Sequence, residues 1–294
     1  METTNNNFFI FTIGRMNPPT PGHLGLIKNL IEKALEINTD KVFIILSKTF
    51  DKTNPLACEN QSNPELSYKK ELIDPMVRVL KEQMKQTITD PSKKELLDNI
   101  RVITICVPDI KGATPFTPLY SVIYGNEAPY NFFANLHAIN LFMIIGEDRG
   151  DLLDNVKKLF NGKEKIGSVN GQILPREEMS RFSKMGCDQL KDVDISSVPT
   201  NAFSASFVRN IVECGLKEKF NDIYKLYLDE TTIDKLYVSI QSGMQEQVNV
   251  NRKKRKQEKR GGRKSIKKNS SKKTNKTSKK TNKTNKKSAK RKIH

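Results

Sequence analysis

Arg15, Thr20 and His23 stand together in the stretch GRMNPPTPGH (Gly14–His23), and each carries a donor suited to phosphate oxygens. Arginine offers a planar fork, histidine a ring N–H and threonine a hydroxyl. Gly14 and Gly22 permit close approach of a backbone, and three prolines fix the path of the stretch. Far along the chain, FSASFVR places Ser204, Ser206 and Arg209 at the start of an amphipathic segment. Either serine can cap a helix there, with the arginine one turn into it. Such residues bind and polarise phosphoryl groups. Taken singly they also have plain roles, as a Pro-rich turn, a helix start and solvent-facing charges. Neither a catalytic triad nor zinc-ligand spacing accompanies them.

The elements that must position these residues are legible in the hydropathy. FFIFTI (8–13), KVFIIL (41–46), RVITICV (101–107) and LFMII (141–145) are apolar without strict alternation, as in strands of a parallel sheet covered on both faces. Between them, Leu26, Ile27, Leu30, Ile31 and Ala34 form a helical stripe. PELSYKKELIDPMVRVLKEQM (64–84) is helical in character, with a break or kink expected at Pro75. The pattern blurs over 161–200 apart from a strand at QILP (172–175). It recovers where Phe207, Val208, Ile211 and Val212 share a helical face that Gly215 ends. Helices over 217–228 and 231–241 follow. The alternation predicts an α/β fold, a Rossmann-like doubly wound parallel sheet with helices on both faces, formed by residues 1–245. With 8–13 as first strand and 23–37 as first helix, Gly14–His23 lies at the carboxyl end of a central strand, where open α/β sheets bind ligands. The N-terminus of the helix favours phosphate at that place.

Charge separates the rest of the chain from this domain. Of 51 Lys+Arg and 33 acids, residues 251–294 hold 22 and one (+21), which leaves 29 bases against 32 acids in residues 1–250 (−3). Residues 246–294 repeat KKTNKTS and KKTNKTN with almost no apolar side chain, so a disordered basic tail is expected. It suits non-specific nucleic-acid phosphates over 251–294, and NRKKRK with KRGGRK resembles a nuclear-targeting cluster. No apolar run approaches the roughly 20 residues of a membrane span, and METTNNN lacks the character of a secretory signal. Cys58, Cys106, Cys187 and Cys214 form no CxxC pair and read as reduced thiols of an intracellular protein, cytoplasmic or nuclear.

GRMNPPTPGH resembles the signature loop of the nucleotidylyltransferase superfamily, whose members carry (H/T)xGH after the first strand; here the tetrad is Thr20, Pro21, Gly22, His23. GRMNP is similar to the archaeal-type nicotinamide mononucleotide adenylyltransferases, with Arg15 matching their arginine. Thr20 stands where that branch has histidine, as in the pantetheine-phosphate adenylyltransferases. FSASFVR resembles the second superfamily motif, close to ISSTxxR, which holds the triphosphate through Ser204, Ser206 and Arg209. IIGEDRGDLL is similar to the Gly-x-Asp turn lining the nucleotide pocket, which brings in Gly146 and Asp148; it also reads as a capped strand-to-helix loop. Asn54-Pro55-Leu56 is similar to a tripeptide of the archaeal-type enzymes, but ACEN follows where they have Glu-Arg, and a plain Asn-Pro turn accounts for it. Lys28 and His137 read as surface or packing residues.

The resemblance implies transfer of a nucleoside monophosphate, AMP or CMP, from a triphosphate to a phosphorylated acceptor, with release of pyrophosphate. Mg²⁺ would be held mainly by the phosphates, and no metal site is expected in the protein itself. His23, Thr20 and Arg15 are the candidate catalytic residues; Gly14, Gly22, Gly146, Asp148, Ser204, Ser206 and Arg209 are the candidate nucleotide-binding ones. Two further readings stay open: a catalytically inactive domain whose tail binds nucleic acid, and a nucleotidylyltransferase that modifies nucleic acid. A class I aminoacyl-tRNA synthetase would need a longer chain and a KMSKS-like loop.

Overall fold

The computed structural model describes residues 7–59, 65–127, 129–175, 182 and 184–245. Each apolar run becomes a strand: β1 (Phe8–Gly14), β2 (Lys41–Leu46), β3 (Arg101–Cys106) and β4 (Ile139–Gly146). A fifth strand, β5 (Ile166–Leu174), extends well N-terminal of the expected 172–175. The helices are α1 (Pro21–Ile37), α2 (Lys69–Thr87), α3 (Pro91–Asn99), α4 (Thr117–Tyr124), α5 (Gly150–Phe160), α6 (Cys187–Lys191), α7 (Ala205–Glu213) and α8 (Lys217–Tyr224). A last helix, α9, covers 230–245.

All pairings are parallel and the order is β3-β2-β1-β4-β5. The inner strands are covered on both sides, so alternate residues feed two separate cores. Ile10, Val42, Ile44 and Leu46 pack with α1, α2 and the C-terminal helices. Phe9, Phe11, Phe43 and Ile45 pack with α4 and α5 on the other face. This is the Rossmann-like doubly wound architecture with helices on both faces. It explains why the strand sequences are apolar throughout.

α1 buries Leu24, Ile27, Leu30, Ile31 and Ala34. Leu26, on the expected stripe, is only partly buried and lines a cleft instead. α2 starts later than expected and runs through Pro75 as one helix. Proline removes a single main-chain bond there, while Leu72 and Ile73 before it and Met76, Val77 and Leu80 after it are buried on one face. That shared burial carries the helix across the gap. α7 buries the four expected residues, and Gly215, at φ 72°, takes the left-handed conformation that ends it.

The reduced-thiol expectation is corrected. Cys58 pairs with Cys106, and Cys187 with Cys214, at Cα separations of 5.9 and 5.3 Å. Partners 48 and 27 residues apart are brought together by tertiary contacts that spacing does not reveal. The argument from free thiols to a reducing compartment falls with it. Among the described residues no helix is long and apolar enough to cross a membrane. The chain divides into residues 1–248 and 249–294. The expected tail, 246–294, lies outside the described residues.

Candidate functional site

From β1 the chain passes to β2 on one side of the sheet, while β4, on the other side of β1, leads to β5. The connections therefore diverge above the carboxyl ends of β1 and β4, and a crevice opens at such a switch point. A cleft of about 560 Å³ occupies it, within the size range of small-molecule sites. Gly14, Arg15, Thr20, Gly22, His23, Gly146, Asp148, Ser204, Ser206 and Arg209 all line it. Lys28 and His137 do not; Lys28 is exposed and paired with Glu32 at 3.6 Å, and His137 is exposed.

Gly14–His23 is held by parts of the chain far from it in sequence. The Asn17 side chain donates to the Leu56 carbonyl (2.7 Å) and accepts from the Leu56 N–H (2.9 Å). The Asn17 main-chain oxygen accepts from Arg209 Nη1 (2.5 Å). The Pro19 oxygen accepts from the buried Tyr224 hydroxyl (2.7 Å). Thr20 Oγ1 donates to the Phe203 carbonyl (2.5 Å). A Cβ on Gly22 would meet the same Phe203 oxygen at 2.7 Å, so Gly22 makes room for the protein's own 201–203 backbone. Gly14 has no such crowding, since a Cβ there meets only the Met16 side chain, at 3.3 Å. Met16 sits at φ 39°, a left-handed conformation that costs a non-glycine residue on the order of 1–3 kcal/mol.

His23 lies in the first turn of α1, where Thr20 is the N-cap. The Thr20 main-chain N–H points at His23 Nδ1 (3.1 Å), and Thr20 Oγ1 lies 2.8 Å from the same nitrogen. A main-chain N–H can only donate, so Nδ1 is an acceptor and the proton of the neutral ring is on Nε2. Thr20 thereby orients the ring and selects the tautomer, a role for which a histidine at its position is not required.

Ser204 is the N-cap of α7 and accepts from the Phe207 N–H (3.1 Å). Arg209 donates to Ser206 Oγ (3.0 Å) as well as to the Asn17 oxygen. Burial, then the positive charge of Arg15, lowers the pKa of Arg209 from its ordinary value, and Asp51 partly opposes this. Two guanidinium groups that repel each other beside a helix N-terminus make an environment that an anion relieves. Asp148, also in the lining, is exposed on the turn after β4, and its carboxylate lies 3.8 Å from Arg149. Among the described residues no group of three or more His, Cys, Asp or Glu is placed to hold a metal. Among the described residues the lining has one carboxylate, Asp148, which does not fit a protein-bound Mg²⁺ but leaves room for one carried by a triphosphate's own oxygens.

Several residues of this region were not singled out as site residues from sequence. Asn17 lay inside the motif but gave no sign of its partner at Leu56. Thr53 and Asn54 line the cleft, so the Asn-Pro turn is a wall of the site and not merely a turn. Lys69 is fully buried, donates to the Ser47 carbonyl (2.5 Å) at the end of β2, and has its pKa lowered to about 8 by burial. Ser47 in turn donates to the Gly14 oxygen (2.9 Å), so Lys69 supports the loop from beneath. A signal did exist: Lys69 falls on the apolar stripe of α2 with Leu72, Ile73 and Met76.

Lys69 gives a pH test. Its folded pKa, about 8, is below the ordinary 10.5, so the unfolded chain binds the extra proton between those values. Stability from this group therefore rises with pH across that window, by up to about 3 kcal/mol, and is constant below it. Denaturant unfolding of Lys69→Met and the unsubstituted protein from pH 7 to 10 should show the latter gaining relative to the former. A difference independent of pH contradicts the burial account.

Comparison of the chain with protein-family models and with curated proteins gives no match, so the site rests on its own geometry.

Proposed function

We propose that the protein is a nucleotidylyltransferase that moves a nucleoside monophosphate, AMP or CMP, from a triphosphate to a phosphorylated acceptor. The observation that supports this most strongly is the convergence of two separate donor sets. Arg15, Thr20 and His23 share one cleft with Ser204, Ser206 and Arg209, and Arg209 is hydrogen-bonded to the first loop across 192 residues.

The chemistry fits a site with many donors. An acceptor phosphate is ionised at neutral pH, so its oxygen can attack the α-phosphorus without a general base. The new O–Pα bond forms as the bond from Pα to the bridging oxygen breaks, and pyrophosphate leaves with the electron pair. Charge grows on the α-phosphate oxygens and the leaving group, so catalysis requires fixed donors aimed at them. His23 Nε2–H, held by Thr20, supplies one such donor to the α-phosphate. Arg209, Ser206, Ser204 and the α7 N-terminus suit the β,γ end, and Arg15 the phosphate of the acceptor. Gly146 and Asp148 suit the nucleoside. Mg²⁺ carried by the triphosphate adds charge neutralisation.

The full chain, given Mg²⁺, each of the four ribonucleoside triphosphates and a panel of phosphomonoesters, should release pyrophosphate only when an acceptor is present. His23→Ala should lower that turnover by about 10²–10³-fold, as for loss of one oxyanion donor, with the fold retained by circular dichroism. Pyrophosphate release that is indifferent to His23 contradicts the assignment.

The charge of residues 251–294, +21, favours a second role in which the tail holds nucleic-acid phosphates, either as the sole function or to bring the cleft to a nucleic-acid substrate. Deleting residues 246–294 should abolish retention on immobilised RNA, and retention by the full chain should fall steeply with salt. Equal retention of both forms refutes this role.

A further inference from the structure

Within the held loop, one residue is bonded on two sides at once. Asn17 is 1 % exposed, and a buried amide is costly unless its polar atoms are paired. Both ends of that amide are spent on a single residue: Nδ2 on the carbonyl and Oδ1 on the N–H of Leu56, 39 residues away. This is how one strand residue pairs with another, made here between two loops. The Asn17 main-chain oxygen then takes Nη1 of Arg209, whose Nη2 is bonded to Ser206. Two hydrogen bonds fix the plane of the guanidinium, and among the described residues its other N–H donors remain for a ligand. The preceding residue, Met16, is held in the left-handed region, which persists where the surroundings over-determine it.

We infer that Asn17 is a positioning residue: its side-chain clasp on Leu56 sets the main-chain oxygen that aims Arg209 at the leaving pyrophosphate. The clasp also ties the loop to a second lining segment, because Leu56 follows Thr53 and Asn54, which line the same cleft. That segment is itself folded on Asp51, which accepts from the Thr53 N–H (2.8 Å) and from Asn54 Nδ2 (3.0 Å). Asn17 touches no reacting atom in this scheme. It acts through Arg209, and the inference rests on the nucleotidyl-transfer reading.

Inorganic pyrophosphate with Mg²⁺ is the probe, because it is the product whatever the base or acceptor. Its dissociation constant is measured by calorimetry on the full chain, on Asn17→Ala, on Arg209→Ala and on the double variant. Arg209→Ala should weaken binding by about tenfold or more, as for loss of a charged hydrogen bond. Asn17→Ala should weaken it by a similar factor, and the double variant should be no weaker than Arg209→Ala alone. That non-additivity marks action through one group, and a residue that only stabilises the loop does not produce it. If Asn17→Ala melts below the working temperature, Asn17→Ser takes its place in the cycle. Unchanged binding by the Asn17 variant, or losses that add in the double variant, overturns the inference alone. No pyrophosphate binding by the unsubstituted protein overturns the transfer reading and this inference with it.

Discussion

The structure depends on one constraint: a Pro-rich loop at the end of a central strand must satisfy its buried polar groups with partners from elsewhere in the chain. Asn17 is answered by Leu56 and Arg209, Pro19 by Tyr224, and Thr20 by Phe203. A loop so rich in proline makes few hydrogen bonds within itself, and buried main-chain oxygens left unpaired cost roughly 1–3 kcal/mol each. The C-terminal helices therefore do more than cover a sheet face. They complete the loop, and in completing it they bring Ser204, Ser206 and Arg209 to the cleft. Packing and site assembly are the same event.

That economy suits a reaction whose difficulty is charge rather than proton transfer. Three arginines, hydroxyls, one oriented imidazole and the N-termini of α1 and α7 surround a cleft whose lining, among the described residues, carries a single carboxylate. Donors fixed by the fold need no reorganisation when charge develops. Thr20 illustrates the principle. Its main-chain N–H donates to His23 Nδ1 while its hydroxyl proton goes to the Phe203 carbonyl, so the ring presents its other nitrogen as a donor.

The legible part of the sequence was the local part. β1, β2 and β4 announced themselves because strands buried on both faces are apolar throughout. Only the end of β5, at 172–174, did so, since IGSVNGQIL lies at the sheet edge with exposed or half-buried residues along most of its length. The ten candidate residues were found because each belongs to a short motif beside a strand or helix end, and the cleft gathers all of them. The clasp from Asn17, the hydroxyl of Tyr224 and the two disulfides were not legible, because each joins residues between 27 and 205 positions apart. Pro75 misled in the opposite direction: its local rule is real, but burial on both sides of it outweighs one missing hydrogen bond.

The central claim is that this cleft binds a nucleoside triphosphate through Arg209. Its most direct test is thermal unfolding of the full chain with Mg²⁺ and ATP, CTP, GTP or UTP in turn, beside Arg209→Ala. One nucleotide should raise the melting temperature by a few degrees, as expected for about 2.7 kcal/mol at a hundredfold excess over its dissociation constant, and the rise should vanish in Arg209→Ala. No rise with any of the four, or one that survives loss of Arg209, contradicts the account.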